Sequence, residues 1–278
     1  MPKLTVLIPC KDERRHIRAC IESVRDIADE ILVADSGSTD GTLDIVREVG
    51  GCRIIEREYI NSANFKNWAI PQAENDWVLV VDSDERVTPE LAAEIKAILE
   101  GEPEFDGYSL NRANDFLGHS IKYCGMSTAS LVRLFRRDVC TYLSRRVHAN
   151  VEVSTGKVGK LKSKLVHHTC VDLDHFIQRQ HRYSTWASLD WNEKGRKSSF
   201  YQLFTHSFIR FWQLYLIRGG ILDGKAGLVV CSLIAYYTFL KEAKLWAYQD
   251  VRALDDVEPH EAGNCPAKMA EHHARRAA

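Results

Sequence analysis

The sequence predicts an α/β protein, a mostly parallel sheet with helices on both faces, followed by a C-terminal helical region. Three observations predict it. Short, near-continuous apolar runs alternate with amphipathic helical patterns through the first hundred residues, as parallel strands buried on both faces require. Polar and acidic residues (Cys10-Lys11-Asp12, Asp35, Asp82 and Asp84) stand just after three of those runs, where open α/β sheets bind ligands. Beyond about residue 174 the pattern turns helical and aromatic.

In chain order, residues 4–8 form a short β-branched run ending at Pro9 and read as a buried strand. Asp12 and Glu13 open a helix with Ile17, Cys20, Ile21 and Val24 on one face, and acids there suit the helix dipole. Residues 30–34 are a second strand, ended by Asp35 and a Ser-Gly-Ser-Thr-Asp-Gly-Thr turn. Leu43, Ile45, Val46 and Val49 restart a helix that Gly50-Gly51 closes. Residues 53–56 suit a short strand, 64–73 a helix, and 77–81 an apolar strand stopped by Asp82-Ser83-Asp84. Thr88-Pro89 caps a helix to about Leu99. Strands follow near residues 108–111, 131–136, 147–153 and 161–167, then helices over 174–194 and 200–217. Residues 226–240 carry no charge; a spanning helix needs about 20 apolar residues, so this run suits a buried or interfacial helix better. The expected division is 1–170, 171–250 and a polar tail 251–278 that reads as disordered.

Composition excludes broad classes. Of 278 residues, 45% are hydrophobic and 27% charged, which rules out wholesale disorder. A net charge of −1 argues against a general basic nucleic-acid binder, so no nucleic-acid partner is expected. None of the eight cysteines forms a CxxC pair, so free thiols in a reducing cytosol are expected rather than a zinc ribbon. Met1-Pro2-Lys3 leads straight into a strand pattern, which predicts no signal peptide.

Several residues suggest chemistry. Asp82 and Asp84, one residue apart after an apolar strand, suit a shared Mg²⁺ or Mn²⁺ completed by substrate phosphates and water. Asp35 is placed to accept hydrogen bonds from a ribose or base, or to cap its own turn; Asp40, before Gly41, suits the turn role. The first strand-to-helix turn, Pro9-Cys10-Lys11-Asp12-Glu13, lacks both GxGxxG and GxxxxGK[ST]. That argues against a dinucleotide-binding dehydrogenase, a P-loop NTPase or a nucleotidyltransferase. Lys66-Asn67 faces either a nucleotide or solvent. His148, His167 and His168 are candidates to complete a metal shell. Arg133 suits bidentate contact with phosphate. The aromatic and basic residues between 200 and 245 suit a membrane interface or a packed helical subdomain.

Three motifs together resemble a known family: residues 4–13 (LTVLIPCKDE), 34–42 (ADSGSTDGT) and 80–86 (VVDSDER) are similar to family 2 glycosyltransferases of GT-A fold. Further blocks, among them Phe116-Leu117-Gly118, residues 133–137 (RLFRR), 182–185 (RYST) and 239–246 (FLKEAKLW), resemble the bacterial lipopolysaccharide-core β-glucosyltransferase-like branch. The resemblance spans roughly residues 3–247.

It implies inverting transfer of a sugar, glucose first, from a UDP-sugar to a membrane glycolipid such as lipopolysaccharide core. A divalent Mn²⁺ or Mg²⁺ assists, and the enzyme works peripherally at the cytoplasmic face of the inner membrane. Pro9, Glu13 and Asp35 match the nucleotide pocket, Lys66-Asn67 a basic-Asn pair, and Asp82 and Asp84 the DxD. The resemblance makes Asp84 the expected direct metal ligand; from the residues themselves, His148 is the expected second ligand and Arg133 an expected substrate contact. The branch usually reads Val-His-Glu where this chain has Val147-His148-Ala149. If that glutamate is the base, then Glu152, Asp115 or a carboxylate elsewhere replaces it; a non-catalytic nucleotide-sugar-binding protein is the alternative.

Overall fold

The computed structural model describes residues 2–126, 130–143 and 151–250. They fall into two compact units, those of Met1–Ala113 with Thr128–Thr169 and those of Asn114–Ser127 with Cys170–Ala278.

In the first unit, β1 (Leu4–Cys10), β2 (Glu30–Asp35), β3 (Cys52–Glu56) and β4 (Trp77–Val80) run parallel in the order β3-β2-β1-β4. Side chains alternate across the pleat, and both faces are apolar. Leu4, Val6 and Ile8 pack with α1 (Ile17–Val24), α2 (Thr42–Val49) and α4 (Pro89–Glu100). Leu7, Leu32, Val78 and Val80 pack with Ala63, Phe65 and Ala69 of α3 (Ser62–Ala69) on the other face. Thr88 Oγ1 accepts from the Leu91 N–H at 3.2 Å, with Pro89 in the first turn, as the sequence predicts.

The expected start of the first helix moves. The first helix begins at Ile17, four residues beyond Glu13, because the acidic segment serves a turn instead. The Asp12 N–H donates to Ser38 Oγ at 2.9 Å and the Glu13 N–H to Thr42 Oγ1 at 2.8 Å. Asp12 Oδ1 accepts from the Thr39 N–H at 2.8 Å, and Asp12 itself has φ 54°, a conformation that Asp tolerates better than most residues.

Beyond β4 the sheet continues through β8 (Ser130–Arg136), antiparallel to β4, and β6 (Gly107–Phe116), antiparallel to β8, then β11 (Val158–Cys170) and the two-residue β5 (Glu85–Arg86), which is antiparallel to β11. A parallel neighbour needs a crossover of a dozen or more residues, usually a helix. Here β6 turns back through Leu117-Gly118 into β7 (His119–Ile121), which pairs with it antiparallel, so the sheet is mixed. A separate ribbon joins β9 (Cys140–Tyr142) to β10 (Val151–Val153).

In the second unit, α5 (Leu173–Glu193) and α6 (Phe200–Trp212) pack on α7 (Gly224–Asp250). A π-helical segment, Gln213–Ile217, and a 3₁₀ turn, Gly220–Asp223, link α6 to α7. Phe116, Cys124, Phe176, Leu214, Val230 and Cys231 form the core. The Asp223 carboxylate accepts the Lys122 and Tyr123 N–H groups at 3.1 and 2.9 Å. At Gly227 an added Cβ would lie 2.0 Å from the Gly220 carbonyl oxygen, and a backbone atom cannot rotate away. Gly227→Ala is therefore expected to destabilise this unit by about 1–3 kcal/mol, read as a lowered midpoint in thermal unfolding. No residue of α6 itself is buried; Phe200, Phe204, Phe208 and Ile209 are all more than half exposed. The stretch Gly220–Gln249 is long and apolar enough to cross a membrane by length and composition, yet it includes the buried Glu242.

Candidate active site

The carboxyl ends of the parallel strands carry Cys10, Asp35 and the Asp82–Asp84 segment. Cys10 and Asp35 are register partners on β1 and β2, and Asp82 to Asp84 follow β4. Asp35 is fully buried. Its Oδ2 accepts the Gly37 and Ser38 N–H groups at 2.7 and 2.8 Å, and its Oδ1 accepts from the Ser38 hydroxyl and the Cys10 thiol. It therefore builds the 36–38 turn beside Pro9. Asp40 holds the next turn: Oδ1 accepts the Thr42 N–H at 3.0 Å and Oδ2 the Arg14 N–H at 3.0 Å. Burial pushes the Cys10 and Cys20 thiols up, so neither is a nucleophile at neutral pH.

Asp82 lies at the centre of a charge network. Its Oδ1 accepts from Lys66 Nζ at 2.8 Å and its Oδ2 from an Arg133 guanidinium nitrogen at 2.7 Å. That same nitrogen donates to Glu85 Oε1 at 2.8 Å, and Arg112 approaches this oxygen at 3.7 Å. Glu85 Oε2 in turn accepts the Asp82 N–H at 2.9 Å. Burial alone raises a carboxyl; at Asp82, Arg133 and Lys66 overcome it and hold the group well below the usual carboxylate range. At Glu85 burial wins, aided by the charges of Asp82 and Asp84, and the carboxyl is pushed up despite Arg133. Lys66 and Arg133 are raised, since Asp82 outweighs their burial.

Asp84 faces a different partner. Its Oδ2 stands 3.3 Å from His167 Nε2, and its carbonyl accepts the His168 N–H at 2.9 Å. The β5–β11 pairing produces this approach by setting His167 opposite Glu85. Arg86 donates to the Ser83 and His16 carbonyls at 2.8 and 3.0 Å, and the His16 and His168 rings stack at 6.2 Å.

Lys66 and Asn67 separate in role. The Lys66 ammonium sits 5.4 Å from the Tyr142 ring centroid. Asn67 donates to the Tyr142 carbonyl at 2.9 Å and accepts its N–H at 2.8 Å, which ties the β9–β10 ribbon to α3. Glu152 is exposed on that ribbon, opposite Thr141. Asp115 belongs to the second unit, opposite Ser120 of β7. His148 and Ala149 lie outside the described residues.

Among the described residues no three His, Cys, Asp or Glu side chains form a metal-holding cluster. Asp82 has both oxygens on cations, and Asp84 and His167 bring a carboxylate oxygen and an imidazole nitrogen together. Their 3.3 Å separation is close to the roughly 3 Å between adjacent ligands of an octahedral ion with bonds of about 2.1 Å. Two protein donors with substrate phosphates and water suit Mg²⁺ or Mn²⁺, so the pair fits such an ion. Sequence reasoning missed Glu85, Arg112 and Arg86. An acid and an arginine directly after the DxD were a visible signal, but nothing local marks Arg112.

Residues 5–140 match the family profile described as Glycosyl transferase family 2. Over 266 residues the chain is 29% identical to the lipopolysaccharide core biosynthesis glycosyltransferase LpsC of Rhizobium meliloti (strain 1021), covering 93% of this chain and 98% of that protein. It is 26% identical over 255 residues to the uncharacterized glycosyltransferase RP128 of Rickettsia prowazekii (strain Madrid E), covering 88% and 87%. Among solved structures, the mannosyltransferase PcManGT of Pyrobaculum calidifontis in complex with GDP-Man and Mn²⁺ is 16% identical with a TM-score of 0.47, covering 99% of this chain and 80% of that one.

Proposed function

We propose that this glycosyltransferase, whose residues 5–140 are a glycosyl transferase family 2 domain, moves a sugar, glucose first, from a UDP-sugar to a lipid-borne saccharide with inversion. The observation that carries the reading is the paired Asp84 and His167 beside the buried Lys66–Asp82–Arg133–Glu85 network, at the carboxyl ends of parallel strands. The near full-length relation to LpsC supports an acceptor of lipopolysaccharide-core type. The exposed aromatic residues of α6 support peripheral contact with the cytoplasmic face of the inner membrane.

Asp84 and His167 would hold a divalent ion. When bound, that ion supplies Lewis acidity and neutralises the charge of the departing diphosphate. Pro9, Glu13 and Asp35 line the nucleotide pocket, Asp35 through the turn it holds. Lys66 and Arg133 clamp Asp82, and Arg86 ties Ser83 to the chain at His16, so the loop bearing Asp84 is set before the donor arrives. Such positioning is worth several kcal/mol, out of about 7–11 for well-oriented reactants. Glu152 takes the proton of the acceptor hydroxyl. The new C–O bond forms at the anomeric carbon as the bond to UDP breaks on the opposite face, which inverts that centre.

Calorimetric titration with UDP and UDP-glucose, with and without Mn²⁺, tests the donor assignment. Metal-dependent binding of both is expected; failure of UDP to bind under either condition overturns it. Glu152→Gln is expected to lower kcat by about 10²–10⁴-fold with UDP binding retained, and a variant close to wild type moves the base to another carboxylate.

A further inference from the structure

The second unit contains a cavity of about 400 Å³ between α5, α6 and α7, remote in sequence from every residue assigned above. Trp191, Arg196, His206, Arg210, Lys241 and Glu242 line it. Glu242 is 2% exposed, and its Oε1 accepts from Arg196 at 2.5 Å and faces His206 Nδ1 at 2.8 Å. Its Oε2 is buried with no hydrogen-bond partner among the described residues. A buried, unpaired carboxylate oxygen is costly, and only a hydrogen-bond donor satisfies it.

The other walls call for the opposite charge. Arg196, Arg210 and Lys241 are three cations against one carboxylate. The Arg196 guanidinium sits 3.9 Å from the Trp191 ring centroid, and Lys241 Nζ lies 4.9 and 4.6 Å from the Trp191 and Tyr237 centroids. The rings hold these cations in place without neutralising them. Burial, and beyond it the Arg210 and Arg196 charges, pull the Lys241 ammonium below its usual range despite Glu242. A matching ligand therefore carries an anionic group beside a free hydroxyl, which is the chemistry of a phosphorylated sugar. One side of the cavity is apolar: Ile209 lines it and is 59% exposed, as are its α6 neighbours Phe204 at 59% and Phe208 at 65%.

We propose that this cavity binds the phosphorylated sugar head group of a lipid. Arg210 and Lys241 take the phosphate, a ring hydroxyl donates to Glu242 Oε2, and the exposed aromatic face of α6 takes the apolar chains. The lipid part rests on the acceptor reading above; the polar half of the cavity stands without it.

The full chain is mixed with phosphatidylcholine vesicles containing phosphatidylinositol 4-phosphate, and with vesicles of equal surface charge containing phosphatidylglycerol. Glucose 6-phosphate is titrated separately. The phosphoinositide vesicles are expected to bind on the order of tenfold tighter. Lys241→Met, which keeps an unbranched stem against both rings, and Arg210→Met are each expected to lose about tenfold, the worth of one charged hydrogen bond. Lys160→Met, an exposed charge in the first unit, controls for net charge. Equal binding to both vesicle types, or losses no larger than that of Lys160→Met, overturns the proposal. Binding of glucose 6-phosphate alone assigns the cavity to a soluble sugar phosphate and overturns the lipid part. The two readings fail separately: wild-type protein that binds UDP but neither probe sinks this proposal, and protein that binds vesicles but not UDP sinks the donor assignment.

Discussion

Asp84→Ala is expected to lower turnover of the UDP-sugar by about 10³-fold and to abolish the metal-dependent part of UDP binding. The magnitude follows from a metal's stabilisation of transition-state charge, several kcal/mol, at about 1.4 kcal/mol per factor of ten. The fold should survive. The Asp84 carboxylate faces His167 at 3.3 Å, whereas Arg133 and Lys66 on Asp82, Glu85 on the Asp82 N–H, and Arg86 on the Ser83 carbonyl hold the loop. Steady-state kinetics and a thermal melt on the same preparation separate the two effects. A variant that keeps most of its activity, or one whose melting temperature falls as far as its activity suggests, would remove Asp84 from the metal site.

Arg133→Met is expected to act on stability instead. Arg133 is 5% exposed and bridges Asp82 at 2.7 Å and Glu85 at 2.8 Å. Methionine fills much of its volume but leaves the buried Glu85 carboxylate facing the half-buried Asp82 carboxylate, with Lys66 and Arg112 as the remaining cations. Breaking a buried pair from one side costs about 3–5 kcal/mol, which lowers the melting temperature by about 10 °C in a chain of this size. Arg133→Lys should recover only part of the loss, since one ammonium does not reproduce the planar fork of the guanidinium.

The loss should also depend on pH, in a direction that can be derived. In the wild type the Asp82 carboxyl is depressed. Its stabilisation is full above the unfolded value of about 3.9 and lost as pH falls through the folded one. The Glu85 carboxyl is raised, so it costs stability at neutral pH and is relieved on acidification. Removing Arg133 raises both groups. The gap between variant and wild type should therefore be widest near pH 7 and narrow towards pH 4. Melting temperatures across that range test it; a constant gap would assign the loss to packing.

Much of this architecture was legible locally. The strand runs before Asp35 and Asp82 are apolar without interruption because helices cover both faces, and that pattern needs no knowledge of distant residues. The turns were legible as well, since Asp, Ser, Thr and Gly have intrinsic reasons to occupy them. Local pattern failed where a residue served a distant partner. Asp12 and Glu13 resemble a helix start, but Ser38 and Thr42 claim their N–H groups, so the helix waits until Ile17.

The DxD was determined by sequence as a pair of acids at the end of a strand. The resemblance separated them by role, and the tertiary structure supplied the physical reason. Lys66 reaches Asp82 across 16 positions and Arg133 across 51, turning it into the anchor of a charge network. The β5–β11 register brings His167 to Asp84. Periodicity is carried by neighbours along the chain and can be read from it. Desolvation and charge pairing are set by whichever strands the fold brings alongside, and those lie too far away in sequence for any local pattern to record.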